Sequence, residues 1–302
     1  MRIARASCFT MLHEIYLFRI SLISLCLSSA AAAADPFASA GFLKFPAEVR
    51  LGAVSAVAVD SRDRIYVLQR GEPPLLAFDA DGVYLHGWGQ GLFKVAHGLR
   101  VDRNDDVWTT DNGNHVLRKF SRDGKLLATL GSEGKPAGGK DGFRAPDDLV
   151  FDSAGNLYVA DSGNSRIVKL APDGAYLTQW GSKGKGPGQF ATAHALAIDR
   201  QDRIYVADRG NKRVQVFDGA GQLLAEWSGF GNPFGLLLVG DELLVSEGDI
   251  HKIFHLDAGG KIAASWGDNA MLKLPHLMAV SSTGTLFVAE VDGRRVQMFK
   301  RP

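Results

Sequence analysis

The chain has 302 residues, 46% hydrophobic and 22% charged, a composition that excludes a disordered or fibrous protein. Its 34 Lys and Arg against 33 Asp and Glu exclude a surface built to coat nucleic acid or to bind membranes through a polybasic patch. Glycine is abundant at 35, which points to many tight turns.

Residues 1–34 read as a secretory signal. Arg2, Arg5 and Arg19 supply the positive charge, 20–27 is a short apolar run, and Ala30 to Ala34 offer small residues for cleavage after Ala34. The run is too short to span a bilayer, and no later segment is long or apolar enough. A start at Met11 gives a more ordinary signal length. Cys26 follows Leu25, where a lipid-attachment signal has a small residue, so no lipid anchor is expected. The expected location is therefore periplasmic or secreted. Removal of 1–34 leaves 31 basic and 32 acidic residues and takes both cysteines, Cys8 and Cys26. The mature chain, 35–302, then has no disulfide or thiol chemistry and must be held together by its core.

From residue 53 onward one unit is written six times. An apolar strand ending in Asp recurs at Asp60, Asp102, Asp152 and Asp199. A Trp-Gly-type anchor recurs at Trp88, Leu130, Trp180, Trp227 and Trp266, in steps of 42, 50, 47 and 39 residues. That period predicts propeller blades, each a four-stranded antiparallel sheet. The unit at 147–181 is the clearest. Strands at 149–151, 157–160, 166–170 and 176–180 are separated by turns rich in Gly, Asn and Asp. The loop from Glu133 to Gly142, rich in Gly and Lys, is expected to be mobile. The Asp-x-Gly-Asn turns read as turn and blade-to-blade hydrogen bonding, and the Trp anchors as packing between blades. The sixth unit stops at Phe299, after its third strand. Residues 41–49, ahead of the first unit, are expected to complete the last blade and so protect its edge. The fold class is thus all-β, a six-bladed β-propeller in one domain over 35–302.

A ring sets equivalent positions around one axis. Five residues before the end of each first strand stand Ser55, His97, Asp147, His194, Phe234 and His276. Three of the seven mature histidines fall at this one position, on blades two, four and six. Alternate blades of six are a third of a turn apart, so the three side chains converge on the axis. Three histidines with an open fourth position are the arrangement of a catalytic zinc site. The competing explanation is descent of a structural histidine through the repeats. Asp147 shares the ring as a ligand, a base, a partner orienting an imidazole, or simply a turn-capping aspartate. His86, His115, His251 and His255 read as structural.

Residues 156–167 (NLYVADSGNSRI) and 204–214 (IYVADRGNKRV) resemble NHL repeats, which form six-bladed propellers; the resemblance covers essentially all of 41–302. The residues Val54 to Asp60, Arg70-Gly71, His97-Gly98-Leu99, Val107 to Asp111, Gln189-Phe190, His194 to Leu196 and Leu274-Pro275-His276 further resemble peptidyl-α-hydroxyglycine α-amidating lyases. That resemblance implies a zinc-dependent lyase that cleaves the N–C bond of a peptidyl-α-hydroxyglycine, giving peptide amide and glyoxylate. It implies zinc on His97, His194 and His276, the three that the ring argument selects. It matches the family's arginine near the metal with Arg70, suited to holding a carboxylate unless it makes an ordinary blade-edge salt bridge. Two positions depart from it. The family's catalytic tyrosine is missing, with Ser162-Gly163 in a turn one residue shorter. The family's calcium, matched at the carbonyls of Val54 and Leu99, lacks its aspartate, because Leu277 stands there and offers no oxygen.

The function expected is an exported zinc enzyme of this kind, with Arg70 and Asp147 as candidate catalytic residues. Its partner would be a small or peptide-derived substrate in an axial pocket of a monomer. The main alternative is a non-catalytic NHL-repeat binding or scaffold propeller. An RNA-binding propeller is disfavoured by charge balance and the signal segment. A calcium-dependent lactonase would want acidic and amide side chains on the axis rather than histidines.

Overall fold

The computed structural model describes residues 37–301, so the signal segment expected at 1–34 lies outside the described residues. Six four-stranded antiparallel sheets form six blades. In blades one to five the four strands run in sequence order across the sheet. The first strands are Val54–Val59, Ala96–Val101, Pro146–Phe151, Ala193–Ile198, Pro233–Val239 and Pro275–Val280. Each neighbours the first strand of the next blade, and blade six returns to blade one, which closes the ring.

The recurring Asp at the end of the first strand has a local cause. Asp60, Asp102, Asp152 and Asp199 each accept the backbone N–H groups two and four residues on, which fixes the tight turn into strand two. Their second carboxylate oxygens anchor an aromatic of strand two: Tyr66, Trp108, Tyr158 and Tyr205. One residue type thus sets both a turn and a core side chain. The Trp anchors pack between blades as expected. A Cβ on Gly124, Gly221 or Gly260, each at positive φ in the hairpin of the following blade, would stand 2.1–2.8 Å from Trp88, Trp180 or Trp227. The missing side chain lets the hairpin lie on the indole.

Two expectations are corrected. The last blade is closed by an N-terminal strand, but that strand is Ala38–Phe42 rather than 41–49, paired with Arg295–Lys300. Its ladder ends with the Leu43 N–H on the Val296 carbonyl; Pro46, which has no N–H, stands just beyond. The loop 133–142 is tied down. The guanidinium of Arg166 donates to the carbonyls of Gly139 and Gly142, Asn164 to that of Ala137, and Arg118 to the Glu133 carboxylate. The Asp-x-Gly-Asn turns bond within their blade and to the next one, as expected: Asn112 donates to the Asp147 carboxylate of the following blade, and the Ser162 hydroxyl meets the Ala193 carbonyl of its own neighbour. Asp111, Asp161 and Asp208 accept N–H groups of the loop that enters the same blade, and each pairs with a buried arginine: Arg118, Arg166 and Arg213. At the opposite end of the strands, further blade-to-blade bonds run from serines to left-handed aspartates: Ser61 to Asp105, Ser153 to Asp202 and Ser282 to Asp63.

Candidate metal centre

Each first strand carries a β-bulge at its second residue, so the strand-two register skips it. A bulge re-aims a side chain and frees the backbone groups beside it. The residues so released are Ser55, His97, Asp147, His194, Phe234 and His276, the ring that the repeats predict.

His97, His194 and His276 meet on the axis. Their ring centroids lie 4.9, 5.0 and 5.0 Å apart, close to an equilateral triangle. One ring nitrogen from each lies within 4.8 Å of the other two. All three are buried. The alternate blades supply the outer contacts. Nδ1 of His97 donates to the Asp147 carbonyl at 2.8 Å, Nδ1 of His194 to Phe234 at 2.6 Å and Nδ1 of His276 to Ser55 at 2.6 Å. A carbonyl only accepts, so the proton sits on Nδ1 and the Nε2 lone pairs are left free. Burial pushes His97 down to about 3 and holds His194 and His276 well below the usual imidazole value, with neighbouring imidazoles and arginines adding to the effect. Three neutral imidazoles, oriented through their far nitrogens, fit a zinc-type ion. The residues at 277 do not fit calcium. Leu277 is fully buried in one apolar cluster with Leu99 and Leu236. Arg100, beside that layer, pairs with buried Asp148 at 2.6 Å and donates to the carbonyls of Leu149 and Leu196.

Asp147 stands outside the nitrogen triangle, with Oδ1 3.7 Å from Nε2 of His97. It is therefore beside the centre rather than part of the ligand group. Ser162 donates to its Oδ2 at 2.6 Å and Asn112 to its Oδ1. Burial pushes its carboxyl up to about 6, against the opposing pull of Ser162, Asn112, Arg209 and Arg70. Arg70 makes no ion pair among the described residues; its Nε donates to the carbonyl of Ala96, next to His97. Its charge reaches His97, His276 and Asp147.

Arg209 was not among the residues the sequence pointed to. Its guanidinium lies 4.8 Å from the centre of the Phe234 ring, which packs on both His194 and His276, and its charge acts on all three imidazoles. A signal for it existed. The residue just after each second strand is Arg70, Asn112, Ser162, Arg209, Gly248 and Val291. This second repeat position, read as the first was, yields the polar groups around the metal triad. It is polar on blades one to four and apolar on five and six.

The ring is a six-bladed β-propeller, and blades two, three and four carry NHL repeats: the NHL repeat model matches residues 93–120, 143–170 and 190–217. The chain is similar to peptidyl-alpha-hydroxyglycine alpha-amidating lyase 1 of Drosophila melanogaster, 32% identical over 120 residues, covering 30% of this chain and 22% of that one. It is also similar to mouse NHL repeat-containing protein 3, 37% identical over 98 residues, covering 29% and 28%. The chain thus matches less than a third of the length of these relatives. Among solved structures, a gluconolactonase from Xanthomonas campestris superposes with a TM-score of 0.65 at 18% identity, over 90% of this chain and 96% of that one. Virginiamycin B lyase from Staphylococcus aureus superposes at 0.62 and 14% identity, over 87% and 84%. At such identities the likeness is one of fold.

Proposed function

We propose that the protein is an exported zinc-dependent carbon–nitrogen lyase of the amidating type, acting on a carbinolamide that bears a carboxylate. The observation that carries this reading is the set of three free, neutral Nε2 atoms converging from alternate blades. Zinc, when bound, supplies the positive charge that makes a substrate hydroxyl acidic. Arg70 and Arg209 hold the carboxylate, each by charge-assisted hydrogen bonds. Asp147, with its carboxyl raised to about 6 by burial, accepts the hydroxyl proton; Asn112 and Ser162 keep its oxygens in place. The N–C bond then breaks, its electron pair leaves with nitrogen, and Asp147 returns the proton there. The products are an amide and an aldehyde acid, with no net proton change.

The test is metal content of the purified protein by elemental mass spectrometry, alongside glyoxylate release from a peptidyl-α-hydroxyglycine. About one zinc per chain, lost in His194→Ala, and release abolished in Asp147→Asn are expected. Zinc content that ignores all three histidines would refute the reading. Ser162, standing where the resembled lyases have a tyrosine, favours one alternative, a non-catalytic binding propeller. That alternative expects bound zinc with no turnover.

A further inference from the structure

We propose that His115 and His251, two imidazoles outside the triad, are positioning residues for the metal centre, acting through the backbone that enters the next blade. The inference rests on the metal reading above. Both occupy one repeat position, a left-handed residue closing the turn after strand two, with φ of +63° and +57°. Nδ1 of His115 accepts the backbone N–H of Ala145 at 3.1 Å, and Nδ1 of His251 accepts that of Leu274 at 3.1 Å. Ala145 and Leu274 are themselves left-handed, with φ of +48° and +55°, and each precedes a proline. Proline disfavours helical conformations in the residue before it, so such a residue left to itself relaxes toward the extended region. Two residues past each capped N–H comes a ring residue. One is His276 itself. The other is Asp147, whose carbonyl takes the Nδ1–H of His97.

The remaining blades supply the comparison. Blade five also enters through a proline, Asn232-Pro233, yet Asn232 is not left-handed, and the matching turn residue of blade four is Lys212 rather than histidine. Among the six residues that immediately precede a first strand, only the two capped by an imidazole have positive φ. The proline alone does not impose the conformation; it coincides with the cap. If Leu274 relaxed toward the extended region, the start of its strand would turn. The Nδ1–H of His276 would then move off the Ser55 carbonyl.

Cobalt(II) titration of the metal-stripped protein tests this, read by the visible absorption band and by competition for affinity. Wild type is expected to bind one cobalt ion with the spectrum of a three-imidazole site. His251→Ala should bind it about 10- to 100-fold more weakly, with a shifted band. His251→Asn should restore both, because its Oδ1 stands where Nδ1 does, accepts the same N–H, and asparagine tolerates left-handed backbone. Lys212→Ala, the same turn position without a capped N–H, should bind as wild type. Should His251→Ala not fold, His251→Ser gives the same readout, since its hydroxyl is too short to reach. Wild-type band and affinity in the alanine or serine variant, whatever the change in Tm, would overturn the proposal. So would a folded asparagine variant that binds no better than alanine. A wild type that takes up no cobalt would remove the metal reading, and this inference with it; that outcome is separable from one in which every protein binds equally.

Discussion

Acidification of the metal-free protein should unfold it through its axis. Three imidazoles are held neutral in the folded state, His97 at about 3 and the other two well below 6.5. In the unfolded chain each titrates near 6.5. Below that value the unfolded state binds more protons, so stability present above pH 6.5 is lost as pH falls. Each proton is worth about 1.4 kcal/mol per pH unit. Between pH 7.5 and pH 5 one histidine therefore removes about 2 kcal/mol, and three remove about 6 kcal/mol. Asp147 acts in the opposite sense. Its carboxyl, raised to about 6, takes a proton in the folded state first and returns about 1 kcal/mol over the same window. The net loss of about 5 kcal/mol is comparable to the whole stability of many domains. Urea unfolding followed by tryptophan fluorescence in EDTA, at half-unit pH steps, measures it. His194→Gln should cut the net loss by about two-fifths, from about 5 to about 3 kcal/mol. A stability that stays flat from pH 7.5 to 5, or an undiminished slope in the variant, would refute the account of the axis.

Removing the guanidinium in Arg166→Ala strands the fully buried carboxylate of Asp161 and should destabilise by about 3–5 kcal/mol. It also frees the carbonyls of Gly139 and Gly142, so limited proteolysis should cut within 133–142 in the variant and spare that loop in wild type. Gly260→Ala adds a Cβ 2.1 Å from the Trp227 ring at φ +81°, and should lower stability by about 1–3 kcal/mol in chemical denaturation.

The architecture was legible because its signals are local and repeated. An aspartate that closes a turn and anchors a strand-two aromatic recurs in four of the six blades, and so it marks them. The metal triad was legible for the same reason, since one bulged position per blade is enough to number the ring. Arg209 and Asn112 were missed although they share a repeat position with Arg70 and Ser162. The residue types there vary, so no single letter draws the eye. The closing strand starts three residues and ends seven residues earlier than expected because its sequence, Ala38-Ser39-Ala40-Gly41-Phe42, alternates weakly and is read only by its partner. The fastening of 133–142 depends on arginine and asparagine side chains 24 to 27 residues further along, which no local composition reveals.

The seam where the ring closes bears on how an ion would act mechanically. His276 sits on the last blade, and its imidazole is oriented by Ser55 of the first, 221 residues earlier in the chain. An ion held by His97, His194 and His276 would therefore be a cross-link between blades two, four and six, tying segments 97 and 82 residues apart in the chain. Closing spans of that length removes conformational entropy from the open chain, as a covalent bridge does. Residues 37–301 contain no cysteine, and an axial ion would take the place of a disulfide there. Opening the ring at this seam would break two things together, the His276–Ser55 bond at the axis and the pairing of Ala38–Phe42 with Arg295–Lys300 at the rim.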